Sequence, residues 1–385
     1  MQPKRIAFIK KGKFSHINNS LIAALGREFA DHQIDVINAP DLLSGRRGPF
    51  GRLGFSLINR VCAVKEFGRY LLPGGKRLSD CLRRTGFYFG SLRKAIQAQL
   101  APERFRFTFQ TQSLFDASIP GTPHFVYTDH ASLATMQYPG VRPSDIWPRS
   151  WIELEQTIYA NAKLIFTMSG NISKCLIHAY GCDPSKVACV YAGANLRPPR
   201  GRQNNRDKMH LKNVLFVGID WARKGGPCLA RAWPAVLRAH ADARLTVVGC
   251  SPDLDLPHCE VVGKVPLERV HKYFEKATVF CLPTRLEPFG IVFLEAFSYK
   301  LPVIATNIGA IPEFVLEGEN GFLAEPEDHQ NLANRLIELL DDPVKCRKFG
   351  DTGFRLVSEK YNWEMTAARI KEHIERAING RADFG

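Results

Sequence analysis

Short runs rich in Val, Ile and Phe alternate with longer amphipathic stretches along the whole chain, and the series occurs twice. In the first half the runs fall at Arg5–Ile9, Ile34–Asn38, Phe105–Gln110, His124–Thr128, Leu164–Met168 and Val187–Tyr191. In the second half they fall at Val214–Val217, Leu245–Val248, Glu260–Val262, Val279–Leu282, Val303–Ala305 and Gly321–Leu323. The segments between them, among them Asn18–Phe29, Trp151–Ala160, Gly226–Ala239 and Gln330–Leu340, have the periodicity of helices. Apolar strands each followed by a helix predict parallel sheets buried on both faces, the doubly wound α/β class. Two such series in 385 residues predict two doubly wound domains, because one core rarely grows to that size.

The Pro-, Arg- and Asn-rich stretch RPPRGRQNNRDKMHLKN (197–213) lacks periodicity and marks the join. It predicts a first domain over residues 1–196, a linker over 197–212 and a second domain over 213–362. A last amphipathic helix, Trp363–Ile378, lies beyond the second sheet, with residues 363–385 expected to pack back on the first domain. The charge is divided along the same line. Residues 1–200 carry 27 Lys and Arg against 13 Asp and Glu, a net +14, whereas residues 201–385 carry 25 of each. The two modules should therefore meet different partners.

A hydrophobic fraction of 45% excludes a disordered chain, and no run approaches the roughly 18 apolar residues of a membrane span. The start, MQPKRIAFIKKGKF, has too short an apolar run for a secretory leader. Ten cysteines contain no CxxC pair, and Cys175, Cys182 and Cys189 lack His partners at zinc spacing. A reducing cytoplasm suits that pattern. Asp253 and Asp255 form a DxD, but within SPDLDLPH they read as a polar surface loop, so no metal site is expected.

Ligands of open parallel sheets bind beyond the carboxyl ends of the strands, so chemistry is to be sought in those loops. The densest stretch is LPTRLEPFGIVFLEAFSYKLPVIATNIGAIPE, from Leu282. Pro288 and Gly290 shape a turn, and the helix expected from Ile291 would present free N–H groups to a phosphate. Glu295 stands in an otherwise apolar run, Ile291–Phe297, where a carboxylate needs a donor. Sugar hydroxyls could supply it, or an Arg or Lys of a neighbouring element. Glu287 falls in the turn, near the same phosphate site or simply exposed. In NVLFVGIDWARKGG, Lys224 beside glycines at a strand–helix junction can reach a diphosphate, or be a solvated lysine before a helix.

The two glutamates with seven residues between them, set after PTR and in EPFG, resemble the glutamate motif of family 4 glycosyltransferases. The sequence that follows, through PVIATNIGAIPEFVLEGENGFLAEPEDHQNLANRLIELLDDP, is similar to that family almost throughout. The resemblance is strong over 213–343 and weaker over the first half. It implies a retaining enzyme of the GT-B fold, two Rossmann-like domains facing across a cleft, with a UDP-, GDP- or ADP-sugar held mainly by the second. It implies that Glu295 holds the donor ribose, that Glu287 meets the donor sugar, and that the backbone of Phe289, Gly290, Ile291 and Val292 contacts sugar hydroxyls and the distal phosphate. Lys224 matches the phosphate-binding lysine. The arginine that many members carry after FVG is replaced by Ile219, and Arg223 is the candidate to supply its charge. Val265 matches the stretch that touches the base. His130, beside Asp129 after His124–Thr128, matches the histidine that faces the donor sugar, in a front-face reaction without a separate base. Gly12, the one glycine of KKGKFS, and Ser169 are the remaining acceptor-side candidates.

Residues 42–106 hold 14 Lys and Arg and 3 Asp and Glu, interleaved with Phe50, Phe55, Phe67, Tyr70, Phe87, Tyr88 and Phe89. That mixture suits an anionic membrane surface, an anionic glycan or a lipid-linked acceptor, and equally an insertion of solvated basic helices. The function expected is transfer of a hexose to a glycan or lipid-linked acceptor in cell-surface polysaccharide or lipopolysaccharide synthesis. An epimerase of the same fold would not be expected to carry EPFGIVFLEA together with Lys224. A non-catalytic binder of anionic polymer would need neither glutamate, and no nucleic-acid motif is present.

Overall fold

A computed structural model describes residues 4–12, 14–44, 51–71, 75–100, 105–198 and 206–380. The chain divides into two compact units. The described residues within Met1–Met136, Gly140–Val190 and Thr366–Gly385 form the first, and those within Gln137–Pro139 and Tyr191–Met365 the second.

The first unit holds β1 (Lys4–Lys10), β2 (His32–Asn38), β3 (Phe107–Thr111), β4 (His124–Thr128), β5 (Leu164–Thr167) and β6 (Val187–Cys189). They form one sheet in the order β2-β1-β3-β4-β5-β6, every pair parallel. The strand order reverses between β1 and β3. β3 and β4 are buried along their whole length, which is why they read as continuous apolar runs, while β2 at the edge is half-exposed. Phe8, Phe109 and Phe166 stack across the sheet at 5.6 and 6.2 Å. The last helix, Trp363–Asn379, lays most of its length on this unit. Glu375 accepts two bonds from Arg106, at 3.0 and 2.7 Å, and Lys371 Nζ donates to the Glu28 carbonyl at 2.6 Å.

The second unit holds β7 (Asn213–Val217), β8 (Arg244–Val248), β9 (Cys259–Gly263), β10 (Val279–Leu282), β11 (Val303–Thr306) and β12 (Gly321–Ala324). Their order, β12-β11-β10-β7-β8-β9, is again wholly parallel. Here the order reverses between β7 and β10. All twelve strands expected from the apolar runs are present among the described residues, which establishes the α/β class with two doubly wound sheets.

The segment expected as a linker is partly built into the second unit. Residues 199–205 lie outside the described residues. Beyond them Arg206–His210 forms a 3-10 turn, and Lys208 is buried, donating to the carbonyls of Phe274 (3.4 Å) and Tyr299 (3.2 Å). Burial of the ammonium lowers its pKa to about 8. A lysine with two carbonyl acceptors is a packing element that a Pro- and Arg-rich composition conceals.

Candidate functional site

The second unit gathers its chemistry where its strand order reverses, the position at which open α/β sheets bind ligands. β7 ends at Val217, and the loop 218–225 leads into the helix Gly226–Ala239. Asp220 shapes that loop, its carboxylate accepting from Arg223 N at 3.0 Å and its carbonyl from Lys224 N at 2.9 Å. Gly225 closes it with a φ of +77°, and a Cβ there would meet the Pro283 carbonyl oxygen at 1.6 Å. Only glycine lets the loop after β7 lie against the turn after β10.

That contact joins two of the expected residues. Lys224 Nζ donates to Glu287 Oε2, and both side chains are about nine-tenths buried. Arg223 braces the same turn: its Nη1 donates to the Leu286 carbonyl at 2.7 Å, and its own carbonyl accepts from Arg285 N at 2.9 Å. Its guanidinium is thereby tied to backbone, with the Asp220 carboxylate 3.9 Å away, while Ile219 is 76% exposed.

After Glu287 the chain turns through Gly290, with a φ of +101°, into the helix Ile291–Ser298. A Cβ on Gly290 would sit 2.6 Å from the Phe293 ring and 3.2 Å from Glu287 Cγ. The first N–H groups of this helix have no partner within it, and its dipole favours negative charge there. Phe289 and Gly290 are buried, and Ile291 and Val292 half-buried.

Glu295 lies one turn into the helix and is buried. No Arg or Lys among the described residues forms an ion pair with it. Burial drives its carboxyl up to about 8, opposed by hydrogen bonds from the backbone amides of Leu196 and Asn195. The donors that an apolar setting demanded are thus partly internal. Val265 is half-buried in the loop after β9, apart from the lysine–glutamate pair in sequence and in sheet position. Asp253 and Asp255 are both exposed.

Tyr138 is a site residue that sequence reasoning missed. Gln137–Pro139 belongs to the second unit although its neighbours in sequence belong to the first. The Tyr138 hydroxyl donates to the Glu287 carbonyl at 2.7 Å and so holds the turn. Nothing in the local sequence marks this, because the two residues are 149 positions apart.

In the first unit, His130 follows β4 together with half-buried Asp129. Its Nε2 meets Thr135 Oγ1 at 3.2 Å, and its backbone carbonyl accepts from Thr128 Oγ1 (2.7 Å) and Ser113 Oγ (3.2 Å). Burial, reinforced by the Arg84 charge, lowers its pKa to about 4, so the imidazole is neutral at physiological pH. Ser113 also bonds Glu155, a second missed residue. Glu155 is buried, accepts from Ser132 N, Tyr159 and Tyr180, and anchors the loop that carries His130. It falls on the apolar face of its helix with Trp151 and Ile158, a pattern legible in the sequence.

Ser169 is fully buried, and its hydroxyl caps the helix Gly170–His178 by accepting from Ile172 N at 3.2 Å. Gly12 is exposed at a φ of +68°, a Cβ there would meet no atom within 4 Å, and its N–H donates to Asn38 Oδ1.

Residues 211–342 match the family described as "Glycosyl transferases group 1". The chain is 28% identical over 251 residues to a D-inositol 3-phosphate glycosyltransferase of Corynebacterium glutamicum, covering 58% of this chain and 60% of that protein. It is 32% identical over 170 residues to a GDP-mannose-dependent monoacylated alpha-(1-6)-phosphatidylinositol monomannoside mannosyltransferase of the same species, covering 40% and 44%. The alignments thus span less than two thirds of these relatives. Among solved structures, a sucrose-phosphate synthase from Thermosynechococcus elongatus superposes with a TM-score of 0.69 at 18% identity, over 98% of this chain and 100% of that one. Anabaena HepE, determined with UDP and glucose, gives 0.61 at 14% identity over 96% and 99%. These last two are likenesses of fold. Residues 211–342 thus match the group 1 glycosyl transferases, and the solved neighbours share the fold of two doubly wound sheets found in this chain.

Proposed function

We propose that the chain is a retaining glycosyltransferase that moves a hexose from a nucleoside-diphosphate sugar to a glycan or lipid-linked acceptor. The observation that carries this reading is the buried Lys224–Glu287 pair at the reversal of strand order, beside the left-handed entry to the helix Ile291–Ser298. A cation and a row of backbone N–H groups are what a departing diphosphate needs, and a fixed carboxylate is what sugar hydroxyls need. On this reading the donor C1–O bond breaks as the acceptor oxygen bonds to C1. The acceptor proton passes to the leaving phosphate oxygen, so no separate base and no metal ion is required. Phe289, Gly290, Ile291, Val292 and Glu295 complete the donor site, with Arg223 holding the turn and Val265 near the base. Neutral His130 orients and polarises from the first unit, which takes the acceptor with Asp129 and Gly12.

Relatives support this reading by what they are named for, the transfer of a sugar to an inositol phosphate or of mannose from GDP-mannose. One structural neighbour is described as involved in lipopolysaccharide biosynthesis, and the pathway proposed here is cell-surface polysaccharide or lipopolysaccharide assembly in the cytoplasm. The donor is tested by thermal shift with UDP, GDP, ADP and their sugar conjugates. One base should stabilise the wild type by several degrees, and the gain should be lost in Glu295→Ala. Absence of a shift with every nucleotide would end this reading.

The membrane side of the proposal has a different basis from the one the composition suggested. In the basic segment Phe67, Tyr70 and Phe89 are buried, and Phe55 packs on Phe87 at 5.0 Å, so these rings serve the core. Phe50 lies outside the described residues. On the helix Gly51–Phe67 the exposed large apolar groups are instead Leu53 (88%), Leu57 (65%), Ile58 (39%), Val61 (61%) and Val64 (61%), with Leu53, Leu57, Val61 and Val64 spaced along one stripe. Arg60 and Lys65 are exposed beside them, while Asn59, Ala63 and Phe67 face inward. An apolar stripe flanked by cations fits the interface of an anionic bilayer. No helix among the described residues is long and apolar enough to cross a membrane. The chain should cosediment with phosphatidylglycerol vesicles at low salt, and Leu57→Glu/Val61→Glu should reduce that binding at least about tenfold. Equal binding by the variant would overturn the assignment to this helix.

A further inference from the structure

The carboxyl ends of the first unit's strands carry an uncompensated set of donors. Lys11 follows β1, beside the point where that sheet's order reverses. Its Nζ is closed off from solvent and has no hydrogen-bond partner among the described residues. The Tyr88 ring, 4.9 Å away, is a weak substitute. Burial, with the like charges of Arg84 and then Arg83 added to it, brings the Lys11 pKa down to about 7.

Arg84 is wedged over the rings of Trp147 (4.2 Å) and Trp151 (5.3 Å). Its Nη1 reaches the Asp80 carbonyl at 3.2 Å, but its Nε is buried and unpartnered among the described residues. Of the carboxylates that act on it, Asp80 and Glu155, the second is already engaged by Ser113, Ser132, Tyr159 and Tyr180. Trp151 in turn donates from Nε1 to Ser132 Oγ at 3.0 Å, which places this stack against the loop of His130. His130 Nε2 shares a hydrogen bond with Thr135 Oγ1, and its Nδ1 also is buried without a partner among the described residues. An ammonium, a guanidinium and an imidazole thus lie at the ends of β1 and β4 and on the turn before the helix Gly86–Gln99, the first two with a donor unmet and the third with an unpartnered Nδ1 that carries a proton in the tautomer where Thr135 donates to Nε2. Buried donors left in that state are costly, and a bound anion would satisfy them together.

We propose that Lys11, Arg84 and His130, with exposed Arg83 at the rim, form a binding site for a phosphate group in the first unit. The reading as a glycosyltransferase bears only on the source of that phosphate, a phosphorylated acceptor or the donor. The site itself stands on the residues just described. An acidic glycan bearing carboxylates would offer less charge per group and fewer acceptor oxygens to these cations.

The full chain is titrated with inorganic phosphate at fixed ionic strength, against chloride, by calorimetry and thermal unfolding. Phosphate should raise the melting temperature, and Lys11→Met should weaken its binding at least about tenfold. In chloride the same variant should melt no lower than wild type, because it removes a charge buried without a partner. Arg84→Met should also lose binding; should it fail to fold, Lys11→Met decides alone. Sulfate, whose charge is constant in this range, should bind about tenfold more weakly per pH unit above the Lys11 pKa of about 7. Glycerol phosphate and a nucleoside diphosphate separate the sources. A loss confined to glycerol phosphate in Lys11→Met assigns the site to the acceptor, and an equal loss for the nucleotide assigns it to the donor. No effect of phosphate on wild type, or unchanged binding in Lys11→Met, overturns the site. Nucleotide binding that then persists leaves the glycosyltransferase reading intact.

Discussion

Replacing Lys224 by Met is expected to slow sugar transfer roughly 100- to 1,000-fold and to cost the fold about 3–5 kcal/mol. The two effects have separate causes. The stability loss arises because Glu287, about nine-tenths buried, is left as a carboxylate without its cation. The loss of transfer arises because the departing diphosphate keeps only the backbone N–H groups and loses its cation, and one such electrostatic contact is worth roughly 100- to 1,000-fold in rate. A second substitution distinguishes them. Lys224→Met/Glu287→Leu removes both charges and should recover most of the stability, since a buried ion pair is often no better than apolar residues of similar volume. It should recover none of the activity. Denaturant unfolding of both singles and the double, with transfer rates beside it, completes the cycle. If Lys224→Met unfolded like wild type, the pair would contribute nothing to the fold. If the double mutant transferred sugar, neither residue would belong to the site.

The architecture could be read from the chain because burial on both sheet faces leaves continuous apolar runs, and each of the twelve stands where a strand is found. The same rule explains what could not be read. Periodicity shows that a strand is buried and says little about which strand lies beside it. That Lys224 would touch Glu287, 63 residues away, depends on β10 lying against β7 and on Gly225 letting the loops meet. Tyr138 enters the second unit from a stretch surrounded by first-unit residues, and no local pattern announces it. The basic segment misled in another way. Its aromatics looked like a surface mixture, but Phe67, Tyr70 and Phe89 supply the core beneath, and the exposed apolar face consists of aliphatic Leu, Ile and Val. Composition records which residues are present in a helix, whereas only their angular position decides which are wet. Lys11 and Arg84 escaped notice for a related reason, since a lysine after a strand and an arginine in a turn are ordinary surface residues until neighbours enclose them.

Glu295→Gln is expected to leave stability almost unchanged at pH about 5 and to exceed wild type by a few kcal/mol at pH about 9. The folded carboxyl has a pKa of about 8, against 4.5 for the free group, so between these values the folded state holds a proton that the unfolded state has released. A group raised in this way stabilises fully below its unfolded pKa, and that contribution is lost as pH climbs through the folded one. The loss approaches about 1.4 kcal/mol per pH unit across the interval. Glutamine has no proton to lose and keeps an oxygen for the amides of Leu196 and Asn195. The functional consequence follows from the same proton. If ribose hydroxyls donate to Glu295, the ligand favours the ionised carboxylate, and nucleotide binding near neutral pH must release a proton. Calorimetry in buffers of different ionisation enthalpy would detect that release. Affinity for the nucleoside diphosphate should rise with pH toward 8 in the wild type and be flat in Glu295→Gln, with Glu295→Ala weaker by roughly 100-fold. Binding without proton release, at equal strength in all three, would confine Glu295 to holding residues 195–196 in place, and the ribose would have to be met elsewhere.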